Sequence, residues 1–229
     1  QRGTIEFLGS SWTAIPTELL DGVTDAGGVG ELGWSASATA TTQSDGTMRM
    51  DFRRGYVVSG EDGDAHAVFG GFASAAPGFS WLGDVSSDRY RHESGYLAQD
   101  FDGGTLLHSG VDAMAIPAAL TDDVAAFGGL SKTGWGATVA FSGSTVSGRF
   151  PKALFADTNG TSYVAYGGFL SAYSSMSSKM GLPVENRYRD SSTGLYVQAF
   201  QKGTVFHTGR DWVLVGDRLD DAYLANGAQ

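Results

Sequence analysis

Two short segments of this 229-residue chain carry the side chains with the most chemistry to offer. Ser87-Asp88-Arg89-Tyr90 and Glu185-Asn186-Arg187-Tyr188 each place an acid or amide, a guanidinium and a phenol side by side. In both, the arginine lies six residues beyond a glycine, Gly83 or Gly181. Trp34, Trp81 and Trp135 fall at or beside the turns Leu32-Gly33, Leu82-Gly83 and Trp135-Gly136, where loops expose a ring. Indole and phenol faces stack on the apolar C–H faces of a ring ligand such as a sugar, while acids, amides and guanidinium groups bond its hydroxyls. The binding candidates are therefore Trp34, Trp81, Trp135, Asp88, Arg89, Tyr90, Glu185, Arg187 and Tyr188. The same residues have a structural alternative, with the tryptophans plugging gaps between units and the Arg–acid pairs stapling neighbours. Trp12 and Trp212 match each other where a helix is expected to start, and both are read as core.

Other chemistries find no support. The string Gly28-Val29-Gly30-Glu31-Leu32-Gly33 fits G-x-G-x-x-G, but the dinucleotide fingerprint needs a strand before it and a helix after it. Here a helix is expected before it and a Ser/Thr/Ala-rich stretch follows, so these are turn glycines. No nucleophile elbow, H-E-x-x-H, P-loop or S-x-x-K is present, and no catalytic residue is assigned. His66, His92, His108 and His207 are scattered. His108 and His207 occupy similar places, and a recurring position suits a repeated structural role better than a catalytic base. Glu61-Asp62-Gly63-Asp64 lacks the spacing of a calcium loop and reads as a solvated turn; no metal or cofactor is expected. With no cysteine, disulfides and thiolate sites are excluded.

The elements that position the candidates repeat. Phe52, Phe101, Phe150 and Phe200 sit 49, 49 and 50 residues apart, and in three cases a glycine follows three residues later, then a β-rich run such as Tyr56-Val57-Val58. A repeat this regular is one supersecondary unit copied along the chain. The units run over approximately 3–52, 53–101, 102–150 and 151–200, with a half unit at 201–229. Each opens with a glycine and a strand, then an amphipathic stretch; around Ile15-Pro16 and Ile116-Pro117 this reads as a short helix closed by Gly27-Gly28 or Gly128-Gly129. Copies two and four carry Phe69-Gly70-Gly71-Phe72 and Tyr166-Gly167-Gly168-Phe169, with glycines where the others have helix formers. The third copy is shortened between its turn glycine and Phe150. The expected fold is mainly β with short helices, a single array of small β modules in a linear stack. A five-bladed propeller is the alternative, but closure needs complementary halves at the two ends, and both ends here carry the same half.

Composition narrows the partners. Fifteen basic against 25 acidic residues give a net charge of −10, a poor match to nucleic acid or anionic lipid. No apolar run is long enough to span a membrane. The chain starts at Gln1 without Met or a signal pattern, as a secreted protein would once its leader is removed, or as an excised piece of a longer protein would. Asn159-Gly160-Thr161 forms a glycosylation sequon.

The unit resembles the LGFP repeat of actinobacterial cell-envelope proteins. Asp64-Ala65-His66-Ala67-Val68-Phe69-Gly70 is similar to the family's Gly-Ala-His-x-Val element, Met180-Gly181-Leu182-Pro183 to its Leu-Gly-x-Pro namesake, and Gln99-Asp100-Phe101-Asp102-Gly103-Gly104-Thr105 to its Phe-x-Gly-Gly strand start. The resemblance covers nearly the whole chain, although three of four copies lack the namesake proline. It implies a β-rich stalk, as found on mycoloyltransferases and wall hydrolases, that holds the peptidoglycan–arabinogalactan polymer without catalysis. The expectation is a non-enzymatic, secreted cell-wall polysaccharide binder. The alternative is a structural or adhesive protein that assembles with protein partners, including self-association through the incomplete terminal unit.

Overall fold

The computed structural model describes residues 3–7, 12–44, 46–60 and 63–216. It is mainly β, built from small antiparallel sheets in tandem joined by short helices. The strands β1 (Gly3–Phe7) and β2 (Trp12–Pro16) form a two-stranded sheet and lead into α1 (Thr17–Asp25) and the one-turn α2 (Val29–Leu32). The next sheet is a meander of β3 (Thr41–Thr42), β4 (Met48–Phe52), β5 (Gly55–Ser59) and β6 (Ala65–Phe69), followed by α3 (Gly71–Ala75). Then come β7 (Tyr90–Arg91), β8 (Leu97–Phe101), β9 (Gly104–His108) and β10 (Ala113–Pro117). After α4 (Ala118–Ala126) and α5 (Gly129–Thr133), the pattern recurs as β11 (Thr138–Ser142), β12 (Thr145–Arg149), β13 (Ala153–Thr158) and β14 (Thr161–Tyr166). Finally α6 (Gly168–Met180) precedes β15 (Tyr188–Arg189), β16 (Tyr196–Phe200), β17 (Gly203–His207) and β18 (Trp212–Gly216).

The sheets are out of phase with the sequence units. Phe52, Phe101 and Phe200 close the second strand of a sheet and Phe150 follows one, so each four-stranded sheet takes its first two strands from one unit and its last two from the next. The chain also divides into two compact units, Gln1–Ala118 and Ala119–Gln229. The half unit placed at 201–229 supplies β17 and β18 to a complete sheet, while its residues from 217 on lie outside the described residues, as do Glu61 and Asp62 of the acidic turn.

The marker glycines have a steric cause. A Cβ on Gly55 would lie 2.1 Å from the Val68 carbonyl oxygen, on Gly104 2.2 Å from that of Ile116, and on Gly203 2.3 Å from that of Val215. The third strand therefore crosses the fourth too closely for a side chain there. A second lock recurs in all four of the four-stranded sheets: the hairpin after the second strand donates a backbone N–H to the last carbonyl of the preceding helical turn. The pairs are Arg54 to Leu32 at 2.9 Å, Gly103 to Leu82 at 2.7 Å, Lys152 to Thr133 at 3.0 Å and Lys202 to Met180 at 2.9 Å. This satisfies a carbonyl that a helix end leaves unpaired. It also corrects the register of the third copy, whose equivalent turn is Thr133-Gly134 and not Trp135-Gly136.

Two expectations about helices and core change. Copies two and four do form helices, α3 and α6, and α6 is kinked at Met176, where φ is −140° and ψ 26°. Their glycine pairs turn the chain: Gly70 and Gly167 take φ of +63° and +60° as the N-terminal caps of α3 and α6. Trp12 begins a strand, β2, and is 67% exposed, so it is not core. Strand alternation puts Thr13 and Ile15 inward and leaves Trp12 and Ala14 outward. Trp212 also begins a strand, β18, and packs half-buried on the second unit's core of Leu154, Phe169, Met180 and Val205.

Candidate functional site

Within each unit, two sheets and a glycine-capped helix are held by the same three contacts. In the first unit, the buried Gln99 side chain of β8 donates from Nε2 to the Ala67 carbonyl (2.9 Å) and to the Ser87 carbonyl (3.0 Å). In the second, Gln198 of β16 donates to Val164 (3.0 Å) and to Glu185 (2.9 Å). Each glutamine thus ties the last strand of one sheet to the Arg-Tyr loop of the next. Its Oε1 is buried without a hydrogen-bond partner in either case. The imidazoles of His108 and His207 lie against Gly71 and Gly168, where a Cβ would come within 2.2 Å and 2.1 Å of Nε2. The rings also pack on Phe72 and Phe169, centroids 5.7 Å and 5.8 Å apart. Gly110 and Gly209 donate backbone N–H groups to Nδ1 of these histidines, at 2.9 Å and 3.0 Å.

The third contact is the predicted arginine. The Arg89 guanidinium lies 3.4 Å above the Phe69 ring, and that of Arg187 lies 3.8 Å above Tyr166 with Tyr196 at 5.6 Å. Burial lowers the pKa of Arg89, opposed by the carboxylate of Glu31.

These contacts frame one groove per unit, in the same place in the fold: between the end of the helix before the first sheet, that sheet's last strand, and the loop leading into the next sheet. The first groove, of about 190 Å³, lies between Asp25 and Ala26 at the end of α1, Ala67 and Phe69 of β6, and Asp88 and Arg89 of the loop. Asp88 takes His66 Nδ1 at 3.3 Å. The second, of about 220 Å³, lies between Asp123, Ala126 and Phe127 at the end of α4, Tyr163 and Val164 of β14, and Asn186. Asn186 Oδ1 accepts the Val164 backbone N–H at 3.1 Å. Phe127 meets Phe155 and Tyr166 edge to face, at 5.7 Å and 5.0 Å. Both cavities fall below the ~300 Å³ lower bound usual for drug-sized ligands, and suit one ring of a larger chain.

The sequence candidates divide accordingly. Asp88 and Arg89 line the first groove, while Arg187 sits beside the second. Tyr90 is held away: its hydroxyl donates to Asp100 Oδ1 at 3.1 Å, alongside Thr105 at 2.6 Å. Burial, then the Asp100 charge and hydrogen bond, raise its phenol to about 12. Tyr188 is exposed and starts β15; Glu185 contributes its backbone carbonyl to Gln198. The tryptophans do not join the arginines. Trp34 is 44% exposed at its own turn. Trp81, expected in an open loop, packs on the first unit's core and on Phe79, edge to face at 6.3 Å, in the gap-filling role. Trp135 lines a separate open pocket with Thr138, Arg149 and Pro151.

Sequence reading gave no role to the glutamines, to the His–Gly contacts or to the aromatic wall of Phe127 and Tyr163. A signal existed for the glutamines. At the position two before the marker phenylalanine, copies one and three carry Met50 and Gly148, while copies two and four carry Gln99 and Gln198. Among the described residues no group of histidine and acidic side chains is arranged to hold a metal, and no helix is long and apolar enough to cross a membrane.

No family model matches the chain, and no curated protein does. Among solved structures, the extracellular domain of BT3049, assigned as a hybrid two-component system of B. thetaiotaomicron, aligns over 82% of this chain and 29% of that one, at 10% identity and a TM-score of 0.18. A likeness of that size supports no statement about fold or function.

Proposed function

We propose that this chain is a non-catalytic binding protein of the cell envelope that holds a wall polysaccharide of the peptidoglycan–arabinogalactan type, taking its neutral sugars in repeated shallow grooves. The observation that carries this reading is the recurrence of the groove. Two units place a groove with an apolar floor and a polar rim at the same point of the fold, the rim being acid and guanidinium in the first and acid and amide in the second. A catalytic centre needs one copy; a binder of a periodic polymer gains from several. Several weak sites on one chain raise retention by avidity, because each further contact is intramolecular once the first has formed. The carboxylates Asp25, Asp88 and Asp123 suit hydroxyl groups and disfavour an anionic ring in these grooves. The resemblance to LGFP repeats supports the same partner and a secreted, wall-associated location.

The test is co-sedimentation with delipidated sacculi of a mycolate-bearing bacterium, before and after acid removal of arabinogalactan. Sedimentation that is lost on stripping supports the reading and assigns the ligand to the arabinogalactan. Failure to sediment with either wall sinks it.

A second reading, assembly with protein, rests on one edge. Among the edge strands that open the four-stranded sheets, β3, β7 and β15 have two residues and template little pairing, whereas β11 runs five residues and leaves Phe141 50% exposed. Light scattering of Phe141→Lys against the parent protein checks it: a parent larger than one chain that falls to a monomer would favour assembly.

A further inference from the structure

The pocket at Trp135 differs in charge from both grooves. It opens on one side of the sheet β11–β14, has a volume of about 380 Å³, and is walled by the Trp135 indole, Phe150 and Pro151. Thr138 and Arg149 are cross-strand partners on β11 and β12, so their side chains leave the same face. Arg149 is the one charged residue in its lining, and no carboxylate lines it. One guanidinium nitrogen, Nη2, donates to Ser174 Oγ of α6 at 2.9 Å, and the group lies 6.0 Å from the Tyr173 ring centroid, so α6 fixes its position. In a protein with net charge −10, whose two grooves each carry acidic residues, this is a basic site beside a half-buried indole.

We infer that the Trp135–Arg149 pocket is a separate subsite for a carboxylate-bearing sugar ring, stacked on the indole with its carboxylate on the Arg149 guanidinium. A planar fork of N–H donors matches a carboxylate with two parallel hydrogen bonds, and charge-assisted bonds of this kind are about twice as strong as neutral ones. The indole face supplies stacking that does not depend on the ligand's charge. The inference rests on the sugar-binding reading above and adds a division of labour: neutral rings in the grooves, a uronate-type ring on this pocket. The equivalent turn of the first unit carries Trp34, followed across the hairpin by Arg53 where the second unit has Pro151.

The test compares methyl β-glucuronide with methyl β-glucoside, which differ only in oxidation at the exocyclic carbon. The readout is the Trp135 indole N–H resonance, assigned by Trp135→Phe. The glucuronide is expected to bind about tenfold more tightly than the glucoside, in keeping with one charge-assisted pair, and the preference should shrink as salt is raised. Arg149→Gln should bring the two ligands level while leaving the weak glucoside response, and Arg149→Lys should keep part of the preference. Equal affinities in the parent protein, or a preference that survives Arg149→Gln, would overturn the inference. An equal response to N-acetylalanine would overturn its sugar part, since a peptide carboxylate would then serve as well. If Phe127 and Tyr163 respond to the glucoside while Trp135 ignores the glucuronide, this inference fails and the groove reading stands. If Trp135 responds but intact walls do not sediment the protein, the pocket stands and the wall reading fails.

Discussion

The two units build one groove on one scaffold and line it differently. In the first, the groove is charged: Asp25, Asp88 and Arg89 surround Phe69 and the small Ala26 and Ala67. In the second, Asn186 stands where the first has Asp88, Phe127 where it has Ala26, and Tyr163 where it has His66. What stays the same is what fixes the backbone: the glycine-capped helix, the histidine against its second glycine, the glutamine bridging two carbonyls, and the arginine over an aromatic ring. The comparison teaches that the recurrent residues maintain the scaffold while the lining is open to change. The two grooves are therefore expected to differ in ligand preference at equal stability of the frame.

The largest effect should come from breaking the frame. Gly168→Ala drives a methyl group to 2.1 Å from His207 Nε2, and Gly71→Ala does the same at His108. Forced overpacking of this kind costs about 3 kcal/mol. Each change should speed hydrogen exchange at the sheet contact of its own unit, with the other unit's protection unchanged. A second substitution, His207→Ala in the Gly168→Ala background, should recover part of the loss by making room. If both single variants melt like the parent in urea, the His–Gly contact does not hold the frame.

Next in size is the glutamine bridge. Gln198→Met removes two hydrogen bonds from buried carbonyls, of Val164 and Glu185, and should cost about 2 kcal/mol by the usual penalty for orphaned buried groups. Gln99→Met should cost a similar amount in the first unit. The partnerless Oε1 on each side moderates the loss, since that atom's own desolvation is relieved at the same time. The change is read as a shift in urea midpoint at constant slope.

A smaller effect separates the linings. Phe127→Ala removes the aromatic wall of the second groove and should weaken its sugar binding about tenfold, in line with one stacking contact. Ala26→Phe in the first unit should strengthen binding there by introducing such a wall. Titration of each variant with soluble arabinogalactan fragments, followed by NMR, checks both; unchanged affinity in Phe127→Ala would remove the aromatic wall from the proposal.

The β character, the repeat and the arginines were legible because each leaves a mark in one dimension. A 49-residue spacing of phenylalanines, with glycine three residues on, reports a crossing of strands too tight for a Cβ. The register of the sheets was not legible. The marker residues lie in the middle of each meander, and nothing in a repeating string says where one hydrogen-bonded sheet ends and the next begins. The helices of copies two and four were hidden by their glycines, which act as turning caps at Gly70 and Gly167 and leave Phe72 and Phe169 to anchor the helix. The pairing of sheets was written in the alternation of Met50, Gln99, Gly148 and Gln198, but it takes the fold to see why a polar side chain is buried there. Trp81 misled because a turn position exposes a ring only when no neighbouring core receives it.

The finest contrast between the units concerns their tyrosines. Tyr90 and Tyr188 begin equivalent strands, but Asp100 faces the first and Ala199 occupies the corresponding position near the second. Burial and the Asp100 carboxylate raise the Tyr90 phenol to about 12. A folded-state value above the unfolded one, about 10, means that the neutral phenol's contribution is fully present below pH 10. It is lost as pH rises through about 12. Tyr90 is 38% exposed, so solvent screens the pair and the effect on overall stability is small. The titration itself is the sharper readout. Followed by tyrosinate absorbance, Asp100→Ala should move one phenol from the late part of the curve to an earlier pH, and Tyr90→Phe should delete that same late component. Superposable curves for Asp100→Ala and the parent would show that the Tyr90–Asp100 bond does not form in solution. Tyr90 would then be available to the groove, and the two units would be more alike than their geometry here indicates.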